Sequence, residues 1–125
     1  MKTALLLIAH GSRRNEANED LSFLAERMRG LGEYDLVQTS FLELAEPCIV
    51  TGGRLCVEQG AETVILLPYF LSAGVHVRED LVKAQSALRD QFPRVEFLLA
   101  EPLGRHPLLV EIVTQRAQES ALSQP

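Results

Sequence analysis

Apolar residues fall into short runs that recur along the whole chain. The first run, TALLLIA at 3–9, is continuous rather than alternating, which is typical of a strand covered on both faces. Three later segments have similar lengths and are rich in β-branched or aromatic residues: LVQTSFL, TVILLPYF and VEFLLA, at 36–42, 63–70 and 95–100. The pattern therefore predicts four β-strands.

The segments that follow these strands show apolar residues at the spacing typical of helices. The stretch 13–32 repeats apolar residues at helical spacing from Leu21 to Met28 and ends at glycines. Further helices are predicted at 48–60, at 78–92 and from about His106 to Ser120. The second of these contains a Gly-Gly pair, which weakens it because each glycine costs about 1 kcal/mol relative to alanine in a helix.

Four strands that alternate with four helices predict an α/β fold. We expect a single domain with a four-stranded parallel sheet, right-handed crossovers and helices on both faces. A chain of 125 residues is long enough for one such domain and too short for two of ordinary size. The domain is expected to cover residues 1–120, and residues 121–125 to form a flexible tail.

Composition excludes several classes of protein. Hydrophobic residues make up 46% and charged residues 23%, as in globular proteins, and the early run ALLLIA is too short to cross a bilayer. We therefore expect a cytoplasmic protein that does not bind membranes. The net charge of −5 argues against nucleic acid as a partner. Cys48 and Cys56 lack CxxC spacing and are predicted to be reduced, structural residues.

Polar residues that could take part in catalysis or metal binding follow three of the predicted strands. His10 and Glu43 come just after the first and second strands, and His76 lies beyond the third in a predicted loop with Ser72 and Gly74. Successive members of the set His10, Glu43 and His76 are 33 residues apart. Ligands of parallel sheets bind beyond the carboxyl ends of the strands. If the three strands are neighbours, the three side chains meet at one edge.

Two imidazoles and a carboxylate suit a divalent ion such as Co²⁺, Fe²⁺, Ni²⁺ or Zn²⁺ and leave positions open for substrate. They also exchange protons near neutral pH. Taken singly, each residue is most often an ordinary loop residue, and Glu46 competes with Glu43 for the carboxylate role. His106 equally suits the start of the last helix. The coincidence of three such residues at strand ends favours metal or proton chemistry.

An anionic substrate is predicted from the residues around this edge. Gly11 and Ser12 are expected to let the backbone approach a ligand and to begin a helix whose free N–H groups favour an anion. Gly74 is expected to supply a positive φ or a close backbone approach. Basic residues cluster near the same edge of an acidic protein: Arg13, Arg14, Arg78, Lys83 and Arg105.

Four motifs occur in order along nearly the whole chain: LLLIAHGSRR, SFLELAEP, LPYFLSAGVHVREDL and PLGRHPLL. Together they resemble the class II sirohydrochlorin chelatases, specifically the short single-domain cobaltochelatase (CbiX-like) type. The resemblance implies ATP-independent insertion of Co²⁺, Fe²⁺ or Ni²⁺ into the tetrapyrrole sirohydrochlorin, for cobalamin or siroheme. It also implies that His10, Glu43 and His76 are both the catalytic residues and the metal ligands.

The same resemblance implies the substrates and partners. The divalent metal is a substrate, and no organic cofactor is expected. Longer relatives contain two such domains that face each other across a cleft, which implies a homodimer for a single domain. Substrate binding is predicted for seven residues: Gly11, Ser12, Arg13, Arg14, Ser72, Gly74 and Arg78.

Two other functions compete with this interpretation. A non-catalytic tetrapyrrole or metal carrier needs the same ligands, so the sequence does not separate it from an enzyme. Phosphohistidine phosphatases and mutases also have His-Gly after a first strand. They place an arginine directly before that histidine, whereas this chain has Ala9.

Overall fold

Strands and helices alternate in a computed structural model that describes residues 2–123. In chain order the elements are β1 (Thr3–Ala9), α1 (Asn15–Leu31), β2 (Leu36–Phe41), α2 (Ile49–Glu58), β3 (Thr63–Pro68), α3 (Val75–Gln91), β4 (Glu96–Leu99) and α4 (Leu108–Ser123). The predicted order of elements is confirmed. Among the described residues, no helix is both long and apolar enough to cross a membrane.

The sheet has the strand order β2-β1-β3-β4, and every neighbouring pair is parallel. On one side of β1, Ala4 pairs with Leu36 and Ala9 with Phe41. On the other side, Ile8 pairs with Pro68. The strands that precede the candidate residues are thus direct neighbours, with β1 between β2 and β3. The predicted α/β fold with a four-stranded parallel sheet is confirmed.

Side chains of β1 alternate between two hydrophobic clusters, one on each face of the sheet. The cluster under α2 and α3 contains Ala4, Leu6 and Ile8, together with Cys56 and Leu88 from the helices. The cluster under α1 contains Leu5 and Leu7, packed with Leu21 and Ala25. Because a strand buried on both faces needs apolar residues at every position, TALLLIA forms the centre of the core. Helices on both faces are confirmed.

The Gly52-Gly53 pair lies inside α2 because the helix packs too closely for side chains at these positions. A Cβ on Gly52 would lie 2.9 Å from Cδ1 of Leu6, and one on Gly53 would lie 2.7 Å from Cδ1 of Leu88. Close packing of α2 between β1 and α3 therefore offsets the cost of two glycines in a helix, which is about 1 kcal/mol each.

Among the element boundaries that differ from the predicted ones are those of β3, α3 and α4. β3 ends at Pro68 rather than at residue 70, although Tyr69 N–H still donates to the carbonyl of Ile8 at 2.7 Å. α3 begins at Val75, three residues earlier than expected, because Val77 packs on the same cluster as Leu81 and extends the buried stripe by one turn. α4 continues to Ser123, past the predicted tail boundary; residues 124–125 of that tail lie outside the described part of the chain.

Candidate active site

The loops after β1 and β2 are joined by their backbones. Leu42 N–H donates to the carbonyl of Ala9 at 3.0 Å, and Glu43 N–H donates to the carbonyl of His10 at 3.1 Å. Gly11 has φ +94°, and a Cβ there would clash with the carbonyl oxygen of Glu43. The close approach that requires a glycine is therefore made to the neighbouring loop. The substrate-binding role of Gly11 stays a prediction.

His10 follows the last residue of β1 and packs against an aromatic ring from the segment that follows the neighbouring strand β3. Its ring centroid lies 4.4 Å from that of Phe70, with an angle of 32° between the planes. The β1–β3 register, continued beyond Ile8 and Pro68, brings His10 level with Phe70. Phe70 is buried while His10 is exposed. One side of the imidazole is thus supported by the core, and the residue remains open to solvent.

His76 lies in the first turn of α3 rather than in a loop. The helix begins after Gly74, which has φ −71° and ψ 176°, and a Cβ on Gly74 would meet nothing within 4 Å. The expectation that Gly74 supplies a positive φ or a close approach is therefore wrong. α3 covers the face of the sheet to which Ile8 belongs. By strand alternation His10 continues that face, so the two histidines share one side of the edge.

Glu43 lies at the same edge but at a different register position. The β1–β2 pairing, continued past Ala9 and Phe41, sets Glu43 beside Gly11 and not beside His10. β2 ends at Phe41, so strand alternation no longer fixes the face on which Glu43 lies. The spacing of 33 residues therefore identifies a common edge, but it does not identify a common face.

The edge does not gather the three candidate ligands into one cluster. Within residues 2–123, no group of three or more His, Cys, Asp or Glu side chains is arranged to hold a metal ion. Glu43 and its rival Glu46 are both exposed. Metal binding by His10, Glu43 and His76 together therefore stays a prediction.

The loop between β1 and α1 is held by an asparagine that sequence reasoning missed. Ser12 N–H donates to Oδ1 of Asn18 at 3.0 Å, and Nδ2 of Asn18 donates to the carbonyl of Ser12 at 2.8 Å. Ser12 Oγ accepts a hydrogen bond from Arg14 N–H at 3.0 Å. A short amide in the first turns of a helix is a recognisable signal, because such residues commonly bond to nearby backbone. Arg13 and Arg14 are exposed at this helix start.

A cavity of about 530 Å³ lies between the loops that follow β3 and β4. Two of the predicted substrate-binding residues, Ser72 and Arg78, line it. Its lining residues are Leu71, Ser72, Arg78, Glu101, Pro102, Gly104 and Arg105. Arg78 Nε donates to the carbonyl of Ala73 at 3.1 Å, and its Nη1 lies 3.7 Å from Oε2 of Glu101. Glu101 was not predicted, although it follows a strand as Glu43 does.

The two cysteines have opposite environments. Cys56 is buried in the cluster under α2 and α3, and burial raises the pKa of its thiol to about 11. Cys48 precedes α2 and is exposed, and a hydrogen bond with Thr51, at 3.3 Å between Sγ and Oγ1, lowers its pKa. Neither cysteine lines the cavity beside the candidate residues.

Comparisons with known proteins agree on one family. The CbiX family profile matches residues 4–120. The chloroplastic sirohydrochlorin ferrochelatase of Arabidopsis thaliana is 35% identical, over 91% of this chain and 51% of that protein. The sirohydrochlorin cobaltochelatase of Sulfolobus acidocaldarius is 33% identical, over 95% of this chain and 92% of that protein.

A solved structure gives the same result. The sirohydrochlorin chelatase SirB of Bacillus subtilis subspecies spizizenii, in complex with cobalt, matches with a TM-score of 0.87 and 29% identity, over 95% of this chain and 51% of that one. The chain thus spans about half the length of SirB and of the Arabidopsis protein, and nearly all of the Sulfolobus protein. The matching proteins therefore occur in two length classes.

Proposed function

Because the chain belongs to the CbiX family, we propose that it inserts a divalent metal ion, Co²⁺ or Fe²⁺, into sirohydrochlorin without ATP. The observation that carries the proposal is the position of the two imidazoles. His10 and His76 follow the neighbouring strands β1 and β3 and share one side of the carboxyl edge of the sheet. Relatives named as sirohydrochlorin ferrochelatases and cobaltochelatases support the substrate.

Metal insertion replaces two pyrrole N–H protons by one M²⁺ ion, so two protons must leave while the metal sheds water. A neutral imidazole can bind the incoming metal, and it can also accept a proton from a pyrrole nitrogen. His10 suits this task because Phe70 supports its ring from the core while the residue stays exposed. His76 is proposed as the second such group and Glu43 as a carboxylate that assists with metal or protons.

Two basic regions support a polycarboxylate substrate. Arg78 and Arg105 line the cavity beyond β3 and β4, while Arg13 and Arg14 are exposed beyond β1. Guanidinium groups form charge-assisted, often bidentate hydrogen bonds with carboxylates. We assign these arginines to the acid groups of sirohydrochlorin, whose ring would then lie across the edge between them.

We also propose that two copies of the chain form one closed site. SirB and the Arabidopsis protein are about twice as long as this chain, whereas the Sulfolobus protein has about its length. Pairing of two copies would supply the second half that the longer relatives carry in one chain. The predicted homodimer is thus consistent with both length classes.

The test is the rate of metal insertion. Purified protein is mixed with sirohydrochlorin and, in separate reactions, Co²⁺, Fe²⁺ and Ni²⁺, and the absorbance change is compared with the spontaneous rate. We expect many turnovers per chain with at least one metal. A shift in the spectrum on binding, without metallation, would instead indicate a tetrapyrrole carrier, and stoichiometric retention of metal after dialysis without turnover would indicate a metal carrier.

A further inference from the structure

Two loop residues at the carboxyl edge of the sheet have a backbone conformation that side chains disfavour. Leu44, in the loop after β2, has φ +64°, and Arg105, in the loop after β4, has φ +68°. They are the non-glycine residues with positive φ in the part of the chain that the structure describes, residues 2–123. A side chain in this region brings its Cβ close to the following carbonyl oxygen, so the surrounding structure must hold the conformation in place.

The loop that carries Leu44 is held by backbone hydrogen bonds. Phe41 N–H donates to the carbonyl of Pro47 at 2.9 Å, which joins the two ends of the loop. Glu43 N–H donates to the carbonyl of His10 at 3.1 Å. Leu44 therefore comes directly after a point at which this loop is joined to the loop that carries His10.

The neighbours of Leu44 pack on the core, whereas Leu44 does not. Leu42 packs on the cluster under α2 and α3, and Ala45 packs on the cluster under α1. Leu44 is 53% exposed, although its side chain is larger and more apolar than that of Ala45. A single exposed leucine is ordinary on a protein surface. At a positive φ, however, asparagine or glycine fits the backbone better, so neither burial nor backbone conformation favours leucine here.

Other exposed apolar side chains lie along the same edge. Leu71 follows β3 and is 62% exposed, and Val75 begins α3 and is 71% exposed. Because β1 lies between β2 and β3, the loops that carry Leu44 and Leu71 lie on either side of the loop that carries His10. A flat ligand that covers His10 would thus have an exposed apolar residue available on each side.

We propose that Leu44 is a substrate-contact residue that packs against the tetrapyrrole ring and helps to select a flat, apolar macrocycle. Leu44 is assigned to this ring on the basis of the proposed function, which identifies the ligand. The acid groups of sirohydrochlorin lie on the perimeter of the ring, where arginines can bind them, and the faces of the ring are apolar. Asparagine or glycine at position 44 would relieve the backbone strain but would leave the ring without this apolar contact.

The test compares ring binding with stability in three variants. Leu44→Asn removes the apolar side chain and accepts a positive φ, and Leu44→Met keeps an apolar side chain of similar size. Leu31→Asn is the matched control, because Leu31 is 64% exposed and ends α1 at the opposite edge, where β2 begins. For each protein the dissociation constant for sirohydrochlorin is measured by absorbance titration without metal, and the melting temperature by circular dichroism.

We expect Leu44→Asn to raise the dissociation constant at least about ten-fold, because burial of a leucine side chain supplies that much affinity. Its melting temperature should equal or exceed that of the wild type, since asparagine accepts the left-handed conformation. Leu44→Met should bind at least about five-fold more tightly than Leu44→Asn, and Leu31→Asn should stay within about two-fold of the wild type.

Unchanged binding by Leu44→Asn, or an equal loss in Leu31→Asn, overturns the contact. A melting temperature of Leu44→Asn that falls together with its binding also overturns it, because Leu44 would then support the fold. The contact and the reaction fail separately: a wild type that binds sirohydrochlorin without metallating it removes the reaction alone, and a Leu44→Asn variant that binds like an active wild type removes the contact alone. A wild type that does not bind sirohydrochlorin overturns both.

Discussion

Helices α3 and α4 look alike in the sequence but have different roles in the structure. They contain 17 and 16 residues, each follows a strand of the sheet, and each has a histidine at or just before its start, His76 and His106. α3 buries Leu81 and Leu88 in the core, whereas α4 buries nothing. A strand followed by an apolar helix thus does not reveal whether the helix completes its own domain or covers another one.

The difference in burial between α3 and α4 follows from the arrangement of their apolar residues. In α3 they form a narrow stripe with helical spacing, Val77, Leu81, Ala84 and Leu88, and charged residues occupy the other faces. In α4 the apolar residues at 108–113 surround the helix instead. A helix with one apolar stripe can bury that stripe against a single surface. A helix that is apolar around its circumference cannot be buried by one such surface.

The largest predicted difference is between the metal-insertion rates of variants at the two histidines near the helix starts. His76→Ala should slow metal insertion by about 100- to 10,000-fold, because it removes a proposed metal- or proton-binding group. His106 accepts a hydrogen bond at Nδ1 from Leu108 N–H, at 3.2 Å, and so serves the start of α4. His106→Asn keeps such an acceptor and should retain the wild-type rate within about two-fold. Equal losses of the insertion rate in His76→Ala and His106→Asn would show that the two histidines do not have different roles.

Truncation of one apolar side chain in each helix should show that α3 contributes to the stability of the domain and that α4 does not. Leu88→Ala should lower the free energy of unfolding by about 2–5 kcal/mol, because Leu88 is fully buried between α2 and the sheet. Ile112→Ala should change it by less than about 0.5 kcal/mol when measured on the monomer in dilute solution. Urea unfolding followed by circular dichroism provides both values. A large loss for Ile112→Ala in the monomer would mean that α4 does pack on its own chain.

The stability of the core under α2 and α3 should also depend on pH, because this core contains a buried thiol. Burial raises the pKa of Cys56 to about 11 from an ordinary value of 9.0. The folded state therefore disfavours the thiolate, so stability is unaffected below pH 9 and falls as the pH rises from 9 towards 11, by about 2 kcal/mol for a shift of this size.

The measurement is the urea midpoint at several pH values for three proteins: wild type, Cys56→Ala and Cys48→Ala. The alkaline loss due to Cys56 should be absent from Cys56→Ala and present in Cys48→Ala, because Cys48 is exposed. An identical alkaline slope in all three proteins would show that the buried thiol does not titrate as proposed.

Two glycines should give smaller effects of opposite sign. Gly53→Ala should destabilise the protein by about 1–2 kcal/mol, because the new methyl group would lie 2.7 Å from the Leu88 side chain of α3. Gly30 lies in α1, and a Cβ there would meet nothing within 4 Å. Gly30→Ala should therefore stabilise by about 0.5–1 kcal/mol through helix propensity. Thermal unfolding of both variants compares them directly, and a neutral Gly53→Ala would indicate that α2 shifts to make room.

Much of the fold could be predicted because it depends on local periodicity. One continuous apolar run and three segments rich in β-branched or aromatic residues identified the four strands, and the rule that ligands bind at the carboxyl edge of a parallel sheet pointed to His10 and His76. Glu43 was located at the correct edge but not on a face, because spacing along the chain does not determine register. The pairing sets it one residue away from the level of His10.

The remaining differences arise from tertiary packing. The sequence predicts a loop around His76 with Ser72 and Gly74, but partly buried Val77 packs on the core cluster and extends α3 to include His76. Gly74 suggested an unusual backbone conformation and has an ordinary extended one. Asn18 and Glu101 act through contacts with Ser12 and Arg78, which lie six and 23 residues away along the chain, so residue type alone does not mark them.

The central claim is that His10, supported by Phe70 at the end of β1, handles the metal or the pyrrole protons. The most direct measurement compares His10→Ala with wild type in two quantities, the dissociation constant for sirohydrochlorin and the rate of Co²⁺ or Fe²⁺ insertion at saturating sirohydrochlorin. We predict that sirohydrochlorin still binds, within about ten-fold, while the insertion rate falls at least about 100-fold. A variant that binds and metallates sirohydrochlorin at the wild-type rate would contradict the claim.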